Sequence, residues 1–237
     1  MRTKSFGVIS AIALGITVTS VSAVHAAGAV LYVPESFNVA FKDTRSTGHF
    51  EVLGTGLHIW TEGATSTDKV AEYVNTNVAL AGIGEPTLVY TNTSGGGVPG
   101  YQLIVDFDNN GTTDGILVGE PGVYGNDWWA SNGSAVFVKA GAPLITGGSG
   151  SGYHGTLDQW RAAFPTAVVK LFGFSLGSGV LGNGTLNAIN FNGTQYTFAV
   201  ATILDGREAC KKGGWETSTN PAFTNQGDCV SYFATRN

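Results

Sequence analysis

Residues 106–114 read Asp106-Phe-Asp108-Asn-Asn110-Gly111-Thr-Thr-Asp114, which places oxygen-bearing side chains at positions 1, 3, 5 and 9 of a short loop. Calcium takes about six to eight oxygen ligands at about 2.3–2.6 Å. Alternating carboxylates suit that shell, Gly111 permits the tight turn, and Thr112 is placed to add a backbone carbonyl. Position 12 is Leu117 rather than a bidentate glutamate. The same residue types also build ordinary polar turns. Three carboxylates so close together repel one another without a cation, and this favours calcium.

A second constellation is Tyr124-Gly-Asn126-Asp127-Trp128-Trp129. The C–H face of a sugar ring packs on indole, while an amide and an acid hydrogen-bond its hydroxyls. Successive residues of a strand point to opposite faces, so one of the two tryptophans enters the core and the other faces out. The competing reading is that both simply pack. His154, in a Gly-rich loop beside Tyr153, is a further candidate ligand contact, whereas His58 reads as a face or core residue and His49 as a turn residue. Paired catalytic carboxylates come from separate strands, and Glu62, Glu85, Glu120 and Asp127 are the acids to inspect for them.

Two motif matches carry no chemistry. Gly173-Phe-Ser175-Leu-Gly177 fits the nucleophile-elbow pattern, but no helix-forming sequence and no histidine follows it. Gly150-Ser-Gly152-Tyr-His-Gly155 fits a dinucleotide fingerprint without a βαβ context.

The elements that must position these groups are strands. Short apolar or alternating runs, broken by Gly, Asn or Pro, predict strands over 49–62, 69–78, 87–92, 101–107, 115–118, 135–138, 167–177, 185–191 and 196–203. Residues 68–81 carry a weaker helical alternative. Asn192-Gly193 between two alternating stretches predicts a type I′ hairpin. One helix is expected, capped by Thr156, running over 157–164 and ended by Pro165, with Leu157, Trp160 and Phe164 on one face as a cover for the sheets. Residues 147–155 are expected to be a flexible loop.

The ends of the chain speak of compartment. Arg2 and Lys4, an apolar stretch from Phe6 to about Val18, and small residues at Val24 and Ala26 form the three parts of an export signal cut after Ala26. That stretch is short for a membrane span of about 20 residues, and no second one follows. The expectation is a secreted chain, residues 27–237, with no membrane span. Acidic residues outnumber basic ones, 17 to 12, and no basic stripe exists. This argues against nucleic acid and anionic membranes as partners. Cys210 and Cys229, the only cysteines, most simply form one disulfide outside the cell. A loop of about 20 residues gives such a bridge a chain-entropy contribution of about 3 kcal/mol.

Several segments resemble known proteins. The Asp106–Asp114 loop is similar to the calcium loops between strands of FG-GAP-type blades, which implies a calcium loop and not a propeller. The stretches Thr44-Arg-Ser-Thr-Gly-His49, Gly56-Leu-His-Ile-Trp-Thr61, Asp106–Glu120, Asp127-Trp-Trp129, His154–Pro165 and Phe172–Gly179 together resemble a group of exported proteins of high-GC Gram-positive bacteria without an assigned activity. The segment Cys210-Lys-Lys-Gly-Gly-Trp215 to Cys229-Val-Ser-Tyr232 looks like a short stapled tail appended to otherwise different exported proteins. The strand–hairpin ending is similar to jelly-roll lectin-like and carbohydrate-binding modules. None of these likenesses carries over a catalytic residue.

The expectation is therefore an all-β, jelly-roll-like two-sheet sandwich over 27–205 with one covering helix, followed by a disulfide-closed tail over 206–237. The function expected first is an exported, non-catalytic binding module for a glycan or cell-wall polymer, stiffened by structural calcium. An exported polysaccharide hydrolase or lyase, and an interaction domain without a small ligand, are the alternatives. Oligomeric state is not encoded in any pattern found.

Overall fold

Residues 26–147 and 150–235 are described by a computed structural model. The expected export signal lies, but for Ala26, outside the described residues.

Among the described residues, thirteen strands form two sheets. The larger contains β4 (Lys69–Ala79), β6 (Gly100–Asp106), β7 (Gly115–Gly119), β8 (Asp127–Ala130), β9 (Leu144–Ile145), β10 (Tyr153–Thr156) and β11 (Val168–Gly177), in the order β4-β11-β6-β7-β8-β10-β9. The smaller is built on β12 (Gly182–Phe191). Along one edge β12 pairs with β5 (Thr87–Gly95), and along the other with β3 (Gly56–Thr61) and then β13 (Thr194–Val200). Outside these lie β2 (Gly48–Leu53), on β3, and β1 (Ala26–Val33), parallel to β13. The chain is thus the two-sheet all-β sandwich that its alternating runs predict.

Period-two alternation makes the core. Leu57 and Ile59 of β3 and Leu186 and Phe191 of β12 meet Leu103 and Val105 of β6 and Phe172 and Phe174 of β11 in one buried cluster. The rings of Phe172 and Phe191 stack 4.2 Å apart across the two sheets. β6 is buried along its whole length, because its outer face is covered as well. There Ile104 packs with Ala71, Tyr73 and Leu171, and the Tyr73 hydroxyl donates to the side chain of Gln102. The free edge of β4 is covered too: the amides of Asn38, Asp43 and Arg45 donate to the carbonyls of Tyr73, Ala71 and Lys69.

Local signals hold at the hairpin and the helix. Asn192 and Gly193 both have positive φ, 49° and 76°, as a type I′ turn requires. α3 (Leu157–Ala163) follows α1 (Pro121–Tyr124) and α2 (Val136–Ala140), and begins with a full capping box between Thr156 and Gln159. Its Trp160 is fully buried, and its indole donates to the Trp128 carbonyl at 3.0 Å.

Four expectations need correction. The run 49–62 is two strands, because Gly54 at φ 62° and Thr55 turn the chain back. Residues 135–138 are not a strand but the start of α2: Val138 and Ala142, four apart, are the buried pair, and the Gly141 amide closes a turn on the Phe137 carbonyl. The segment 147–155 ends in a strand, since Tyr153 and His154 pair with β9 and β8. The tail over 206–235 also contains a helix, α4 (Gln226–Ala234), capped by Asn225. Cys210 and Cys229 are disulfide-bonded and buried there, and Phe223, Tyr232 and Phe233 pack on one another beside them. Thr202 and Thr219 tie the tail to the sandwich by reciprocal backbone and hydroxyl hydrogen bonds.

Candidate functional site

At the edge where β5 faces β6, β7 and β8, the two sheets part to leave a cleft of about 470 Å³. Leu88, Tyr90, Val98, Pro99, Tyr101 and Trp128 make its walls mostly apolar, and Glu85, Thr87 and Asn126 add polar groups. Two glycines shape it. A Cβ on Gly119 would fall 2.8 Å from the Trp128 indole, and one on Gly184 would fall 2.3 Å from the Tyr90 hydroxyl, so neither aromatic side chain could sit where it does over a larger residue. Tyr101 reaches across the sandwich, its hydroxyl donating to the Asn190 carbonyl at 3.4 Å.

The Tyr90 hydroxyl is, among the described residues, the one buried side-chain oxygen or nitrogen without a hydrogen-bond partner. Burial raises the ionisation of that phenol above its ordinary value, so it stays a neutral donor and acceptor. An unpaired buried hydroxyl costs about 1–3 kcal/mol.

The aromatic cluster expected from the sequence divides at β8. Trp128 points inward and is 5% exposed at the cleft, with Asn126 beside it. Asp127 and Trp129 point to the opposite, outer face. There the Trp129 indole donates to Glu120 at 3.2 Å, and Asp127 pairs with His154 at 2.7 Å. Burial raises the Glu120 carboxyl above its usual range, with the Trp129 hydrogen bond opposing that shift. Tyr124 stands on exposed α1 and is not part of the cleft lining. These residues therefore do not converge on a single surface. Tyr90, Tyr101, Val98 and Pro99 complete the cleft instead, and no local pattern marks them.

The acidic loop lies between β6 and β7. One carboxylate oxygen from each of Asp106, Asp108 and Asp114 comes within 4.8 Å of the others. Opposite ligands of one calcium ion lie about 5 Å apart, so the three oxygens fit a shared ion. Asp106 is fully buried, and its two oxygens accept the amides of Asn110 and Gly111 at 3.1 and 2.9 Å. Asp114 accepts the Phe107 amide at 2.7 Å. Asn110 is engaged differently from the expected ligand set, because its side-chain oxygen accepts from the amide and hydroxyl of Thr112.

On the outer face of the smaller sheet the structure joins two histidines that the sequence leaves separate. Trp60 lies between His49 and His58, stacked at 5.0 and 4.4 Å. Cross-strand register does this, since Trp60 is opposite His49 and next but one to His58 on β3.

No protein-family model, curated protein or solved structure matches this chain.

Proposed function

We propose that this chain is an exported ligand-binding module whose site is the cleft between the sheets, with calcium in the Asp106–Asp114 loop as a structural stiffener. The observation that carries the reading is the mostly apolar cleft between the sheets, lined by the aromatic side chains of Tyr90, Tyr101 and Trp128 with polar groups from Thr87 and Asn126. Such a lining suits a compact ligand with one apolar face and hydroxyls at its edge, the class to which the pyranose units of glycans and cell-wall polymers belong. The volume lies within the range of about 300–1,000 Å³ usual for small-ligand sites. The disulfide in the tail is compatible with an oxidising compartment, and no helix among the described residues is long and apolar enough to cross a membrane.

Asp106, Asp108 and Asp114, with the Thr112 carbonyl, are the groups that would hold calcium. The ion would neutralise their charges and fasten the β6–β7 connection.

The cleft is tested by titrating the protein with an N-acetylglucosamine disaccharide and with n-octyl β-glucoside below its micellar concentration, following tryptophan fluorescence. Gly122→Phe provides the control, because Gly122 lies on exposed α1 at the cleft and has side-chain room. Saturable responses to both probes, lost in Gly122→Phe, support the glycan reading. A response to the octyl glucoside alone would reassign the ligand to an alkyl chain. Silence with both overturns the site.

A further inference from the structure

The outer face of β8, β9 and β10 carries a row of three side chains that the cleft does not use. In the β8–β10 ladder Thr156 is opposite Asp127 and His154 opposite Trp129, which makes Asp127 and His154 diagonal neighbours on one face. On the other side His154 is opposite Leu144, two residues before Thr146. The His154 Nδ1 lies 2.7 Å from Asp127 Oδ2, and its Nε2 lies 3.1 Å from Thr146 Oγ1.

The partners order the protons. An ionised carboxylate only accepts, so the imidazole holds its hydrogen on Nδ1 towards Asp127. In the neutral ring Nε2 is then the acceptor, and the Thr146 hydroxyl donates to it. Shielding runs the same way: His154 is 8% exposed, while Thr146 stands at the surface. The backbone at Gly150 closes over this face, for a Cβ there would fall 2.1 Å from the Trp129 indole. A carboxylate, a buried imidazole and an accessible hydroxyl in hydrogen-bonded sequence are the parts of an activated nucleophile, recognised by geometry rather than by chain order.

We propose that Thr146 is an acyl-accepting nucleophile for small esters, with His154 as its general base and Asp127 as the positioning residue. Thr146 Oγ1 bonds to the ester carbonyl carbon while its proton passes to His154 Nε2. The carbon–oxygen bond to the leaving alcohol then breaks, and the alcohol takes that proton. Water repeats the sequence, giving its proton to Nε2 and its oxygen to the acyl carbon, so that the acid leaves and Thr146 regains its hydroxyl hydrogen. A pair that merely fastened β8 to β10 would need Asp127 and His154 but not the hydroxyl.

The test is incubation of the full chain with p-nitrophenyl acetate, an acid quench, and peptide mapping for an acetyl group. Acetylation of Thr146 is expected, with a matching burst of p-nitrophenolate. Replacing the base in His154→Gln should slow it by about 100-fold or more, the low end for general-base assistance. Thr146→Ser should be acetylated and Thr146→Val should not, with melting temperatures confirming that all variants fold. Asp127→Asn should slow the acetylation of Thr146 at a melting temperature like that of the wild type, because an amide, unlike a carboxylate, does not restrict Nδ1 to the donor role. Absence of acetyl on Thr146, or equal labelling in His154→Gln, overturns the proposal. Either outcome leaves the cleft untouched, since Trp128 and Asp127 face opposite sides of β8.

Discussion

Calcium should raise the melting temperature of this protein, and the loop geometry sets both the size of the effect and its control. Asp106, Asp108 and Asp114 already converge, and backbone amides of Phe107, Asn110 and Gly111 hold all three carboxylates in place. Little reorganisation would then oppose binding. Three carboxylates, one fully buried, set the charge of the site. Extracellular modules with such loops bind calcium with Kd of about 10⁻⁴–10⁻³ M. At about 10 mM free calcium, linkage to the native state alone gives about 1.4–2.7 kcal/mol. For a domain of about 150–250 residues this is a rise of about 3–11 °C in Tm. The assay is thermal melting of chelator-stripped protein across a calcium titration. Asp108→Asn is the matched control, because Asp108 is exposed and the amide keeps its shape while removing its charge. In chelator this variant should melt no lower than the wild type, having one fewer like charge in the loop; in calcium it should lose most of the rise. No rise at about 10 mM calcium, or an equal rise in Asp108→Asn, refutes the reasoning and leaves a polar turn held by its own amides.

Three further outcomes follow from buried polar groups. Trp160→Phe removes the indole donor to the Trp128 carbonyl, and by chemical denaturation should cost about 1–3 kcal/mol. The Glu72 carboxyl is raised above its usual range by burial, with Thr44 donating to it in opposition. A raised folded value means that ionisation costs more in the folded state, so Glu72→Gln should be more stable than the wild type near neutral pH. That difference should vanish as pH falls below the unfolded value of about 4.3, as melts at several pH values would show. Asp68 has the opposite sign: hydrogen bonds from Thr47, Thr65 and Ser46 hold its carboxyl well below the usual range. Its contribution is full above the unfolded value of about 3.9 and lost as pH falls through the folded one, so the deficit of Asp68→Asn should be largest near neutral pH and shrink in acid.

What the sequence by itself determined is what depends on neighbours along the chain. Alternation between apolar and polar residues specifies strands, and thus a sandwich. Asn192-Gly193 specifies its hairpin because only residues tolerant of positive φ can turn there. Thr156 and Gln159 specify the start of α3 because a helix end must satisfy its own amides. Two cysteines specify one bridge. The spacing of Asp106, Asp108 and Asp114 likewise brings them into one loop. Tertiary structure decided everything that depends on register and on which strands meet. Val136 and Val138 read as strand by composition, but their fate was set by the amides and carbonyls that closed a helical turn around them. β1 finds its partner only at β13, and so escaped a local reading. Trp128 and Trp129 are adjacent in sequence, yet the pleat sends one into the cleft and the other to Glu120. Tyr90 and Tyr101, like Asp127, His154 and Thr146, are neighbours because strands align side by side, and a one-residue slip in any ladder would send those side chains to the opposite face.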